Sequence, residues 1–484
     1  AISSWRLSRI NPLMQYYPEW EHDKAGSVRP DRPTACGLGD TAKAECLTDR
    51  NSRERCCMWH LLAVFALALL CLTANIRPAY SQFSSQDLSD LESPLENESV
   101  LGRSRPEYDA IGLPLGAFRA YPTVSLNAAY DSNALRTDSK AQHDYIISMT
   151  PGVILRSEWV RHYLAARASA TRYRYSRLSS ENRTEWNAAV AGRLDILTGF
   201  NLTGAASYEA TFENRESRDQ IQVGAAKPTP YSTTRTRAAL SYNPFRLGVQ
   251  VGFEHQRDDY GNTVLASSGG ERNNDDRDRN DYSVYTTAVY EFSPGYGVFV
   301  RPSYQKRVYD LDTGRAAGRD AEGYRIDGGL NFLVTRLITG EAYLGYIKYD
   351  VERPDFSDLS GVNFGARLLW YPSELITVHL NASRTPNATT IDGASVGDDH
   401  YVEAGADYEV LRNVILQGSL AYRDSRFPGI TRRDNDFGAL LGVRYLVNQY
   451  LRADLSVTRR TRSSNETNVG FVDHILFLGL RGQI

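Results

Sequence analysis

The chain has 484 residues, 42% hydrophobic and 23% charged, with a formal net charge of −3. A mean hydropathy of −0.43 excludes a bundle of membrane helices, and the near-neutral charge gives no support to a nucleic-acid partner. Neither figure excludes a membrane barrel, in which only alternate residues of each strand meet lipid.

In chain order, residues 1–57 show no regular periodicity and read as an irregular extension, with initiation expected near Met58. The next segment, Leu61 to Ala74, is continuously apolar over 14 residues, short of the ~20 that a membrane-spanning helix needs. Arg53 and Arg55 precede it, and small residues (Ala79 and Ser81) follow at the spacing of a cleavage site. Residues 58–81 therefore read as a secretory signal peptide cut between Ser81 and Gln82. Cys36, Cys46, Cys56, Cys57 and Cys71 all precede that cut. The mature chain would then have no disulfide framework and no thiolate nucleophile. Residues 82–116 are polar and rich in Ser, Glu and Asp, and are expected to be a flexible periplasmic lead-in.

From there to Ile484 the chain alternates apolar and polar residues. In Ile376-Thr377-Val378-His379-Leu380-Asn381-Ala382-Ser383 one face reads Ile, Val, Leu, Ala and the other Thr, His, Asn, Ser, as a strand with one apolar side requires. Tight connections fall at Ser157-Glu158-Trp159, Leu197-Thr198-Gly199, Asn243-Pro244-Phe245, Ser293-Pro294-Gly295, Thr335-Arg336, Tyr371-Pro372-Ser373-Glu374, Leu411-Arg412-Asn413 and Val447-Asn448-Gln449. Pro, Gly and Asn supply the backbone angles of tight hairpins at these points. Between them lie long polar connections such as 213–231, 261–280, 311–322 and 386–399. Strict short-long alternation predicts an all-β, antiparallel, up-and-down transmembrane barrel over 117–484, with about 18 strands (16–18). Both termini and the tight turns would lie in the periplasm.

The alternation also assigns faces. Leu247/Val249/Val251/Phe253, Ile326/Gly328/Leu330/Phe332, Val402/Ala404/Ala406/Tyr408 and Leu451/Ala453/Leu455/Val457 are expected to face lipid. The inward rows would line a lumen with Arg167, Arg193, Arg237, Arg301, Arg307, Arg325, Arg367, Arg444 and Arg452. Opposing them are Asp195, Glu209, Glu254, Asp327, Glu341, Glu403, Asp407 and Asp454, with His379 on the same rows. Trp159, Tyr242, Phe245, Phe292, Tyr296, Trp370, Tyr371, Tyr445 and Tyr450 cluster beside the tight turns and are expected to form an aromatic girdle. Tyr130, Tyr175, Tyr208, Tyr260, Tyr309 and Tyr349 would form a second girdle near the long loops.

Motifs for catalysis or metal binding are weak. His379 could join a nucleophilic constellation, but such sites are recognised by geometry, and a polar wall residue is the simpler reading. The loop from Asn273 to Asp281 is acidic yet lacks the spacing of a calcium loop, and its own arginines partly neutralise it. No cofactor is implied. The lumen charges read either as a lattice of mutual salt bridges or as a ladder along which a sugar or anionic polymer slides.

Several segments resemble the putative beta-barrel porin-2 family of outer-membrane proteins associated with exopolysaccharide biosynthesis and export. These are Gly112-Leu113-Pro114-Leu115-Gly116-Ala117-Phe118, Tyr130-Asp131-Ser132-Asn133, Pro151-Gly152-Val153 leading into Arg156-Ser157-Glu158-Trp159, Tyr290-Glu291-Phe292-Ser293-Pro294-Gly295-Tyr296, Gly340-Glu341-Ala342-Tyr343-Leu344-Gly345-Tyr346 and Leu369-Trp370-Tyr371-Pro372-Ser373. The resemblance implies a barrel in the outer membrane of a Gram-negative bacterium, with membrane lipid around it, a polysaccharide as cargo and periplasmic export proteins as partners. It brings no catalytic residues. The competing readings are a general or solute-specific diffusion porin, a barrel enzyme, and a structural anchor.

Overall fold

The computed structural model describes residues 99–219, 224–314, 317–332 and 337–484. The expected extension, signal peptide and Ser81/Gln82 cut lie outside the described residues. So do the lead-in up to residue 98 and the turn at Thr335-Arg336. Among the described residues no helix is long and apolar enough to cross a membrane.

A short strand, β1 (Leu113–Leu115), precedes the barrel, which begins with β2 (Phe118–Asp131), β3 (Asp144–Ser157), β4 (Tyr163–Tyr175), β5 (Arg183–Leu197) and β6 (Phe200–Phe212). It continues through β7 (Pro230–Tyr242) and β8 (Leu247–Tyr260). A small hairpin of β9 (Thr263–Val264) and β10 (Glu271–Arg272) stands in the loop that follows. Then come β11 (Arg279–Ser293), β12 (Tyr296–Tyr309), β13 (Ala321–Phe332), β14 (Ile338–Val351), β15 (Leu359–Ser373) and β16 (Ile376–Ala388). The last five are β17 (Val396–Leu411), β18 (Val414–Arg426), β19 (Arg433–Asn448), β20 (Leu451–Ser464) and β21 (Phe471–Gln483).

Leaving out β1, β9 and β10, each strand pairs antiparallel with the next, and β2 pairs with β21 from Thr123↔Gln483 to Asp131↔Ile475. The fold is thus a closed antiparallel barrel of 18 strands. Closure leaves no ladder edge, the condition for strands to cross hydrocarbon. β1 pairs with Phe118–Ala120, where β2 runs past the end of β21.

Alternation along the strands follows chemistry closely. In β12, Tyr296, Val298, Val300 and Tyr304 are exposed, while Phe299, Arg301, Ser303 and Arg307 are buried. The exposed residues form an apolar band that includes Leu126, Ile147, Leu344 and Val362. A one-residue slip would carry the buried arginines into lipid, at roughly 2–4 kcal/mol each near the midplane. Barrel strands run from 12 to 16 residues, beyond the ~9–11 that cross the hydrocarbon, so they extend past it into a polar rim.

The tight turns use left-handed glycines. Gly199 has φ 73°, and a Cβ there would lie 2.5 Å from the Asn243 carbonyl oxygen of the adjoining turn. Asn243 N–H donates to the Gly199 carbonyl at 2.6 Å, so the two turns lock together.

The lead-in departs from expectation. Residues 99–110 are folded against the barrel wall rather than free. Val100 is fully buried, its N–H donates to Thr377 Oγ1 at 2.8 Å, and Arg105 meets Glu409 at 2.5 Å. Composition alone marked this segment as flexible. Inward groups at the ends of β16 and β17 supply the partners that order it.

Candidate transport lumen

The expected lumen positions all sit on the face of their strand opposite the exposed apolar row. Many are in ion pairs. Arg301 binds Glu341 at 2.8 Å and Thr287 at 3.2 Å, while Arg325 binds Asp327 at 2.9 Å. Arg193 binds Asp195 at 3.1 Å. Arg444 and Arg452 share Asp454, at 2.7 and 3.0 Å. Arg307 reaches Asp281 at 2.6 Å, a carboxylate that the sequence reading places in the acidic loop and the structure places in β11. Most of these pairs join residues two apart on one strand or opposite on neighbouring strands, which share a face; Arg301 and Glu341 instead reach over the intervening β13.

The remaining positions lie on the same inward rows. Arg237 stands opposite Glu254 in register, Arg367 opposite Glu341 and Asn381, and Arg167 opposite Ile154 and Ala189. Glu209 lies 3.6 Å from Arg235. Glu403 accepts from Tyr401 Oη at 3.0 Å and Asn381 at 3.3 Å. Asp407 accepts from Gln417 at 3.3 Å. His379 occupies the space beside Gly405, its cross-strand neighbour.

Eight of the nine tight-turn aromatics (Trp159, Tyr242, Phe245, Phe292, Tyr296, Trp370, Tyr445 and Tyr450) are exposed on the outer wall, and Tyr371 is half-buried. The second girdle needs correction. Tyr130 packs on the exposed Tyr145 and Tyr208 on Trp186, but Tyr175, Tyr260, Tyr309 and Tyr349 occupy inward positions. Tyr309 and Tyr349 are buried, Tyr260 lies under the Arg277 guanidinium, and Tyr175 accepts from Arg183. Their neighbours of opposite parity, among them Tyr282, Tyr304, Tyr324 and Tyr346, are the exposed ones. Height along the strand was legible, but one residue of parity decides between lipid and lumen.

Both mouths are narrowed by the chain itself. At the long-loop end, residues 213–219 of the connection between β6 and β7 reach the far side of the ring. There Arg218 donates to Asp434 at 3.1 Å, Asp436 at 2.8 Å and Ser425 at 2.6 Å. Burial opposes the Arg218 charge, but Asp399, Asp436 and Asp434 outweigh it and raise its pKa above the ordinary value. Asp219 accepts from Thr389 Oγ1 at 2.8 Å, and Glu216 pairs with Arg460 at 3.3 Å. Beside this strap, Ile391 and Ala394 pack on Phe427 and Ile430, and Arg319 donates to the carbonyls of Thr389, Ile391 and Ala394.

At the tight-turn end, residues 99–110 lie across the opening, from Thr377 and Glu409 to Gln483, whose side chain donates to the Tyr108 carbonyl at 3.2 Å. Sequence reasoning missed Arg218, Asp434, Asp436 and Glu409. Their pairings join residues hundreds of positions apart, and no local pattern announces them.

Beneath the strap lies a cavity of about 300 Å³. Its walls combine Tyr173, Tyr175 and Phe477 with Asn127, Arg183 and Arg460. The lumen can therefore offer aromatic faces, hydrogen-bond donors and fixed charges to a polar solute.

The sequence profile of a family described as "Putative beta-barrel porin 2" matches residues 105–484. No curated protein matches the chain. Among solved structures it is similar to OpdO of Pseudomonas aeruginosa, with 12% identity, a TM-score of 0.39, and 76% of this chain and 97% of that one covered. For a BenF-like porin from Pseudomonas fluorescens Pf-5 the values are 10%, 0.40, 75% and 99%. For the siderophore receptor PirA of P. aeruginosa they are 8%, 0.41, 79% and 81%. None of these likenesses carries an argument about what this chain moves.

Proposed function

The chain belongs to the Putative beta-barrel porin 2 family and forms an outer-membrane β-barrel; within that fold we propose that it is a gated conduit for a secreted polysaccharide. The observation that supports the reading is that the chain lies over the lumen at both ends, at the Arg218 strap above and at residues 99–110 below. A conduit for a long polymer must stay closed when idle, and segments held over both ends by ion pairs would supply that closure. The mixed wall of aromatic, amide and guanidinium groups suits pyranose rings, which offer an apolar face and a rim of hydroxyls. Long loops would face the outside and the 99–110 segment the periplasm, where export proteins would displace it.

Free diffusion of small solutes is the second reading, favoured by the family's description as a porin. Deleting the gene and measuring extracellular polysaccharide separates the two. Loss of secreted polymer with unchanged synthesis supports the conduit. Normal secretion, with slower uptake of a small solute, supports the diffusion porin.

A further inference from the structure

Inward arginines crowd the tight-turn mouth on the arc from β19 to β21. Arg452 and Arg481 stand directly opposite each other in register on β20 and β21. Like charges in that position repel. Arg444, on β19, stands opposite Asp454, and Asp454 gives one carboxylate oxygen to Arg444 Nε at 2.7 Å and the other to Arg452 Nε at 3.0 Å. Three guanidinium groups thus surround one carboxylate, both of whose oxygens are already engaged. Arg481 Nε is buried with no hydrogen-bond partner. Its neighbour on the other side is Ser125, and the next inward position of its own strand is Gly479, opposite Asp454, over which Asn127 and the Phe477 ring lie.

A second opposed pair in the same mouth shows what compensation looks like. Arg119 and Arg156 are also register partners, but Arg119 binds Glu158 at 2.7 Å, and Arg156, whose Nε is likewise without a hydrogen bond, lies over the Tyr121 ring at 5.6 Å. The Arg452–Arg481 pair has only the shared Asp454. Excess positive charge held three-quarters out of solvent, as Arg444 and Arg452 are, is costly unless an anion joins it.

We propose that Arg444, Arg452 and Arg481 form a binding site for the oxyanion of a carboxylate- or phosphate-bearing solute at this mouth of the lumen. Guanidinium forks match carboxylate and phosphate oxygens in pairs. The anion would complete Arg481 and cancel its repulsion with Arg452. The site serves a polymer conduit and a diffusion porin alike, so it does not depend on the choice between them.

The test uses the purified full-length barrel in detergent, titrated calorimetrically at fixed ionic strength with D-glucuronate, inorganic phosphate and, as the neutral control, glucose. Glucuronate or phosphate binds and glucose does not. Arg481→Gln weakens the anion by about tenfold, the weight of one charge-assisted hydrogen bond. Without anion, Arg481→Gln melts higher than the parent because the opposed charge is gone, and a given anion concentration raises its Tm less than the parent's. Arg481→Lys keeps the charge and loses the fork, so it binds anion more weakly than the parent and gains no melting temperature. Absence of anion binding by the parent overturns the site. So does a variant that melts lower yet is still stabilised by anion as the parent is.

Discussion

Arg301 and Glu341 show how the wall is built at the scale of single residues. They come from β12 and β14, with β13 between them, and meet at 2.8 Å with little exposure on either side. Removing one partner leaves a charge stranded, so Glu341→Gln should destabilise the barrel by roughly 3–5 kcal/mol, while the double replacement of Arg301 and Glu341 by Met should be near neutral. Urea unfolding from lipid vesicles measures both; equal losses in the single and double variants would rule out a stranded charge as the cause. A second residue, Asp278, lies in the rim outside the membrane. Burial, with Asp259, Asp275 and Asp310 nearby, pushes its carboxyl up to about 6. A carboxyl raised in the folded state makes stability fall as pH climbs from its ordinary value near 3.8 through about 6, with no further loss above. Asp278→Asn should therefore melt like the parent near pH 4 and above it near pH 7.5, in paired heat-shift measurements. Inward and outward assignments of this kind were readable from parity in β8, β13, β17 and β20. They failed for Tyr175, Tyr260, Tyr309 and Tyr349, which were placed by height along the strand without counting parity.

At the scale of elements, each strand needs one apolar row, and its register follows from that row. Leu344 lies well inside β14 and is among the more exposed apolar residues. Leu344→Arg should cost roughly 2–4 kcal/mol of barrel stability at the midplane. The same change at Val472, near the long-loop end of β21, should cost about 0–1 kcal/mol. Refolding titrations into vesicles read the difference, and equal costs at both sites would mean that the exposed band does not track membrane depth. Connections were legible as short or long from Pro, Gly and Asn. Which long ones fold inward was not, because the loop between β6 and β7 is as polar as its neighbours. What draws it in is the carboxylate cluster of Asp399, Asp434 and Asp436, brought together on β17 and β19.

For the whole molecule, the strap and the 99–110 segment are two places where the chain lies over the lumen. Arg218→Ala removes the contacts that hold the strap to the far wall, and deleting residues 99–110 clears the other mouth. Each alone should raise single-channel conductance in planar bilayers, and together they should raise it most, since two constrictions in series both limit flow. Conductance of the parent equal to that of the double variant would show that neither segment closes the path. The sequence by itself determined the barrel, its strand number and which row of each strand is apolar. These follow from a period of two and from turn chemistry, both properties of residues next to one another along the chain. Only the tertiary structure decided that the lumen is strapped at one end and covered at the other. Closing the sheet brings Arg218 to Asp434 and Arg105 to Glu409 from opposite parts of the chain, and attraction between groups so distant in sequence leaves no mark on local pattern.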